Sequence, residues 1–242
     1  EKIALCLESV KWVNDIVVID GFSSDGTVEV SKKYTNKVIQ HKFETFAAER
    51  NLGIDNASGD WILQLDADEV VTKEFRLELE KILSGNQEFS AYRFRRNNFF
   101  LGHFMRYGGW YHYSLHFFKK GFARYEGRVH EDLIVDGPIG VIEAGVRHYP
   151  FDSLAQFVER QNRYSSLAAR EMFEKKGVLT KKEIKYNLLI KPVKRFWKFY
   201  FKKKGYKEGM HGVVFSAFYA WLHFLNWAKY WELIKNNSEE NN

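Results

Sequence analysis

Three carboxylates fall within four positions, at Asp66, Asp68 and Glu69, directly after the apolar run Trp61-Ile62-Leu63-Gln64-Leu65. Like charges held that close repel, so they stay ionised only where something positive sits among them. A hard divalent cation whose shell is completed by phosphate oxygens meets that need. An acidic turn leading into the next helix, with Thr72 as its N-cap, uses the same residues, and a bare D-x-D is a weak motif by itself. Asp20 ends another apolar run and is followed by Ser23, Ser24, Asp25 and Thr27. These groups suit a grip on a nucleoside and equally suit the capping of a helix. Arg50, beside Asn51, could reach a diphosphate or could be surface charge. Gly127-Arg128-Val129-His130-Glu131-Asp132 places an acid–base cluster after a glycine, as a base between an incoming hydroxyl and a leaving group requires. His148 ends an apolar strand. A histidine there is ordinarily a satisfied core residue, and it gains interest only beside a suspected metal site.

The elements that must hold these groups alternate. A short amphipathic helix over 3–10 precedes a buried strand over 16–19 that ends at Asp20. A helix around 28–34, a strand at 38–39, a helix over 46–57 and a strand over 61–65 follow. Strands alternating with helices imply crossover units and a parallel sheet, whose ligands sit beyond the C-terminal strand ends. Asp20 and Asp66 both occupy such ends. After a helix over 73–83 the pattern changes to strands at 91–95, 114–118 and 145–149, separated by aromatic loops. The glycine-hinged loop Arg106–Tyr113 carries four aromatics, among them Trp110 and Tyr111. It reads either as a hydrophobic lid or as a platform for a sugar or acceptor.

From Ser153 the chain turns helical, with capping-box spacing at Ser153/Gln156 and Thr180/Glu183. Charge is split: residues 1–150 carry 19 basic and 22 acidic side chains, whereas 151–242 carry 18 and 9. Eleven basic residues and one acid lie between Lys181 and Lys207, interleaved with seven aromatics. That composition suits a helix in the interface of an anionic membrane, and also single-stranded nucleic acid. Met210–Ala228 has no Asp, Glu, Lys or Arg but contains His211, Ser216, His223 and Asn226. Its polar content favours a packed or interfacial helix over a spanning one. The single cysteine, Cys6, excludes an internal disulfide and fits a reducing compartment. No signal peptide is visible, and without an initiator methionine the first residue is not expected to be the start of the gene product.

The ordered set D-G-F-S-S-D-G-T (20–27), A-E-R-N-L-G-I (48–54), G-D-W-I-L-Q-L-D-A-D-E (59–69), G-R-V-H-E (127–131) and R-H-Y (147–149) resembles family 2 glycosyltransferases. The subgroup it is most similar to comprises bacterial glucosyltransferases that build the lipopolysaccharide core, as N-R-Y-S-S-L-A-A-R (162–170) also suggests. The resemblance implies a GT-A fold: a Rossmann-like nucleotide-binding α/β sheet with acceptor-binding β structure over 1–150, followed by amphipathic helices over 151–242. It implies Asp20, with Ser23 and Asp25, at the nucleoside, Arg50 at the diphosphate and Asp66 at ribose or metal. Asp68 would be the principal ligand of a Mg²⁺ or Mn²⁺ ion, with His148 a further contact. Glu131, next to Asp132, would be the catalytic base. Trp110 and Tyr111 of the aromatic loop, with His130, are the candidates for the acceptor side on the residues alone.

The implied reaction is an inverting transfer, with UDP-glucose as donor and a lipid-linked or lipopolysaccharide-core glycan as acceptor. The implied location is cytoplasmic, on the inner face of the membrane, with nucleic acid not expected as a partner. A homodimer through the C-terminal helices is the other use of that surface. Two departures stand out. Similar proteins begin with a strand ending near T-x-N-E, absent from this sequence, and Gly21 stands where relatives often carry Asp or Ser.

Two rivals use parts of the same pattern. Leu65–Val70 also looks like the D-x-D-x-V motif of haloacid-dehalogenase-like phosphatases, with Asp66 as nucleophile and Asp68 as acid. Those enzymes carry the motif on the first strand and need a later acidic motif that this sequence lacks. A non-enzymatic basic module accounts for the C-terminus but not for the carboxylates.

Overall fold

The computed structural model describes residues 2–85, 88–127 and 132–240, with side chains through 237. The chain divides into two compact units, 1–97 with 112–148 and 98–111 with 149–242.

In the first unit, helix α1 (Lys2–Val10) buries Cys6, Leu7 and Val10. Strands β1 (Val17–Asp20) and β2 (Lys37–Gln40) pair in parallel, Val17 opposite Lys37 through Asp20 opposite Gln40. The helix between them, α2 (Thr27–Ser31), is shorter than the 28–34 expected. Its continuation is claimed by Thr35, whose hydroxyl donates to the Ile16 carbonyl (2.7 Å) and accepts from the Lys37 amide (3.0 Å). Helix α3 (Phe46–Asn56) is N-capped by Thr45, whose side chain accepts from the Ala48 amide.

The expected parallel sheet stops at two strands. Strand β3 (Trp61–Leu63) runs antiparallel to β7 (Tyr113–Lys119), in the order β3-β7-β5-β10-β4. Here β4 is Glu69–Val70, β5 Ala91–Phe100 and β10 Ile139–Phe151. Aromatic packing favours this pairing: Trp61 stacks on Phe117 with ring centroids 4.7 Å apart. Alternate residues of β5 and β7 point to opposite faces, as the strand period demands. Tyr92, Phe94 and Phe117 pack with Phe75 and Leu79 of α4 (Lys73–Ser84). Ala91 and Phe118 pack with Ala47 and Ile54 of α3 and with the hairpin of β8 (Ala123–Glu126) and β9 (Asp132–Val135).

In the second unit, β6 (His103–Phe104) pairs with the end of β5, and Phe100, Met105, Phe151, Phe157 and Phe215 form one core. Helix α5 (Leu154–Lys176) starts at Ser153, whose hydroxyl accepts from the Gln156 amide. Gln156 reaches the Asp152 amide rather than closing the expected box, whereas the box at Thr180/Glu183 is complete. Helix α6 (Lys181–Lys185) continues through a π-turn (Tyr186–Ile190), α7 (Lys191–Trp197) and a second π-turn (Lys198–Lys202). Residues 210–228 lie within α8 (Gly209–Glu240), which packs against α5 and α7. Among the described residues, no helix is long and apolar enough to cross a membrane.

Candidate active site

The acidic cluster lies on a tight turn between β3 and β4. The Glu69 amide donates to the Asp66 carbonyl (3.0 Å), and the Asp66 amide donates to Glu69 Oε2 (2.7 Å), so the turn is closed from both sides. Positive charge comes from two arginines. Arg96 forks from β5, donating through Nε to Glu69 Oε1 and through Nη2 to Asp66 Oδ2. Arg50 Nη2, from α3, lies 3.6 Å from Asp66 Oδ1. The result is an alternating series, Arg50–Asp66–Arg96–Glu69.

Burial pushes the Asp66 carboxyl up, but the Arg96 and Arg50 guanidiniums more than reverse this and hold it below the ordinary value. At Glu69, 1% exposed, burial outweighs Arg96 and raises the value. Burial opposes the Arg96 charge, yet its two carboxylates leave it more firmly protonated than a free arginine. Burial, reinforced by Arg96 and Arg50, pushes neighbouring His116 down to about 3, so the imidazole is neutral near pH 7. Cys6, whose thiol points at the Asp66 carbonyl (3.6 Å), is pushed up to about 12 by burial and then by Glu69, Asp68 and Asp66.

Asp68 and His148 meet. His148 Nε2 lies 3.3 Å from Asp68 Oδ1, and both side chains are largely buried. The pairing of β4 with β10 places His148 directly opposite Glu69, which brings the histidine to the acidic turn from 79 residues away. Close approach of strands supports this geometry: a Cβ at Gly145 would meet the Arg95 carbonyl oxygen at 2.6 Å.

Asp20 is buried at the end of β1, accepting from the Ser23 amide (3.1 Å) and from Gln40 Nε2 (3.1 Å). Burial raises its carboxyl, and bonds to Ser23 and Gln40 bring it below the ordinary value. Asp25 is exposed and accepts from the Thr27 amide (3.0 Å). Between them Phe22 adopts φ 62°, a left-handed backbone costly for a bulky side chain, and the residue is 60% exposed.

Arg50 also lies over the Tyr125 ring, 5.0 Å from its centroid. Its neighbour Asn51 donates to the Tyr125 carbonyl (2.9 Å) and accepts from the Tyr125 amide (3.0 Å). Glu131 and His130 lie outside the described residues. Asp132 opens β9, exposed, opposite Glu126. Trp110 and Tyr111 belong to the second unit. Trp110 packs on Phe215 at 5.1 Å, and Tyr111 meets Phe104 edge-on at 5.6 Å, so both rings serve the packing of that unit.

Sequence reasoning missed Arg96 and His116. A signal existed for the first: Tyr92, Phe94 and Arg96 alternate along β5, so a charge falls at a core-facing position and needs a buried partner.

The family model "Glycosyl transferase family 2" matches residues 1–134. A Rhizobium meliloti protein named "Lipopolysaccharide core biosynthesis glycosyltransferase LpsC" is 24% identical, over 94% of this chain and 86% of its own. An uncharacterized glycosyltransferase of Rickettsia typhi is 28% identical, over 96% of this chain and 83% of its own. The crystal structure of S. aureus TarS residues 1–349 aligns at TM-score 0.46 and 12% identity, over 95% of this chain and 86% of that one. That likeness is too low to carry an argument. The phosphatase and non-enzymatic readings are set aside by the family match, which covers more than half of the chain: it belongs to glycosyl transferase family 2 and is an enzyme that transfers sugars.

Proposed function

We propose that this enzyme moves glucose from UDP-glucose to a hydroxyl of a lipopolysaccharide-core or other lipid-linked glycan, with inversion and with a divalent cation. The approach of Asp68 and His148 at the end of the acidic turn is the observation that carries the reading. Among the described residues no three His, Cys, Asp or Glu side chains form a metal-holding group. The Asp68 carboxylate nonetheless fits Mg²⁺ or Mn²⁺, because Mg²⁺ commonly takes one or two carboxylates and fills its shell with substrate phosphates and water, with the His148 imidazole as a further contact. In this reading Asp68 and His148 hold the ion, which when bound neutralises charge on the departing diphosphate.

Arg50 contacts the diphosphate, while Asp20, Ser23 and Asp25 face the nucleoside and Asp66 the ribose. Glu131 takes the proton of the acceptor hydroxyl as its oxygen attacks the anomeric carbon. The bond to the diphosphate breaks in the same displacement, so an α-linked donor gives a β-linked product. The name of the Rhizobium relative favours the lipopolysaccharide core as acceptor class. Trp110, Tyr111 and His130 are the acceptor-side candidates.

The exposed, basic face of α6–α7 is assigned to the inner, cytoplasmic surface of an anionic membrane, with homodimerisation as its alternative. Calorimetry of UDP binding tests the core of the proposal. Mn²⁺ should tighten binding to wild type and leave binding to Asp68→Asn unchanged; equal tightening in both would remove Asp68 from the metal site. The anomeric configuration of the product tests the displacement, and retention would exclude it.

A further inference from the structure

We infer that Arg96 is the positioning residue of the donor site, holding the Asp66–Glu69 turn in the shape that presents Asp68 to a cation-bound diphosphate. The inference rests on the metal reading above. Arg96 projects from β5, the middle strand of the five-strand path, and bridges both ends of the turn through Glu69 and Asp66. Asp68 lies between those two anchored ends, and Glu69 stands in register with His148. One guanidinium thus fixes the segment that bears the carboxylate and the strand position opposite the histidine.

Stability alone does not account for such a group. A buried ion pair often gives no more stability than apolar residues of the same volume, because desolvation offsets the attraction. A forked guanidinium does supply fixed geometry, since two parallel donors meet two carboxylates at set angles. Lysine offers a point charge and cannot reproduce that fork. Removing Arg96 leaves Asp66 and the buried Glu69 facing one another across the turn, and their repulsion opens it. Opening the turn displaces Asp68 without altering its chemistry.

Arg96→Lys and Arg96→Gln test the inference against wild type, with UDP as probe. Binding is measured by calorimetry with and without Mn²⁺, and bound Mn²⁺ is counted by electron paramagnetic resonance. Outer partners of metal ligands typically change metal affinity by about 10–100-fold, and Arg96→Lys should weaken Mn²⁺ binding in the presence of UDP by that amount. Metal-free UDP binding, in which Asp66 at the ribose also takes part, should weaken by less than the Mn²⁺-dependent part, and excess Mn²⁺ should restore kcat. A purely structural ion pair would behave differently: the melting temperature would fall while Mn²⁺ affinity stayed at the wild-type value, and that result overturns the assignment. If Arg96→Gln does not fold, Arg96→Lys decides alone. If wild type itself binds UDP equally with and without Mn²⁺, the metal reading fails, and this inference fails with it for a different, recognisable reason.

Discussion

Replacing Trp197 and Phe201 by serine should detach the protein from anionic membranes without unfolding it. Trp197 is 57% and Phe201 43% exposed, and the two rings stack at 4.2 Å on the face that also shows Leu189 and Val193. Aromatic side chains present about 150–250 Å² each, so the pair leaves roughly 200 Å² of ring in water. At ~25 cal/mol per Å² this sets a ceiling of about 5 kcal/mol for complete transfer. An interfacial helix sinks only one face into the headgroup boundary, and about half the ceiling, ~2–3 kcal/mol, is a fair expectation. That corresponds to a partition coefficient lower by about 50-fold. The lysines around this face should contribute about 1 kcal/mol each close to anionic lipid, a share that salt screens. Flotation with neutral and anionic liposomes, at low and high salt, measures both parts. Wild type should float with anionic vesicles, less at high salt, while the double variant stays in the bottom fraction with an unchanged melting curve. Equal recovery with both lipid types, or wild-type flotation of the variant, would refute the reasoning. Conversion of a wild-type dimer to monomer by the same substitutions would assign the face to a second copy.

The base assignment predicts that Glu131→Gln loses about 10²–10⁴-fold in kcat with donor affinity near wild type, while Asp132→Asn loses much less. Steady-state kinetics with calorimetric donor binding would show the reverse ranking if Asp132 held the role. His116, pushed down to about 3, lies well below the ordinary histidine value of 6.5, so on acidification the unfolded chain takes up that proton before the native one. Its contribution to stability is therefore full above about pH 6.5 and declines toward pH 3 by up to ~1.4 kcal/mol per unit. Urea denaturation across that range should show a shallower decline for His116→Gln. In the second unit, the buried Tyr230 hydroxyl donates to the Gly177 carbonyl (2.6 Å) and accepts from the Leu179 amide (3.3 Å). Tyr230→Phe should cost about 1–3 kcal/mol in chemical denaturation, since it leaves the Leu179 amide without that acceptor.

Local chemistry was legible where one residue type has one use. Thr72 and Thr180 cap the helices expected of them, and β1, α3 and α4 lie where periodicity put them. The resemblance alone puts Asp68 and His148 together, 80 positions apart, and β-sheet register is what makes them neighbours. The direction of β3 was not legible: an apolar run of that length fits a parallel or an antiparallel place equally, and Phe117, its stacking partner, lies 56 residues away. The guanidinium partners of the turn were hidden for a related reason. Carboxylates at close spacing reveal that a cation is needed, not which one, and the arginines that answer come from a helix and a strand on either side of the turn.

Asn51 holds the Tyr125 amide and carbonyl with one side chain, as a neighbouring strand would. The exposed edge of a two-stranded ribbon is a template on which other chains can pair, and here a single carboxamide occupies that edge. The substitution matters at the level of one atom. Asparagine carries a donor and an acceptor at once, whereas aspartate of the same shape offers two acceptors and would face the carbonyl with like polarity. Asn51→Asp, which changes neither size nor backbone, would therefore unfasten the ribbon from the helix that carries Arg50. One added negative charge would free the ribbon edge while the remaining core contacts of α3, through Ala47 and Ile54, stay in place.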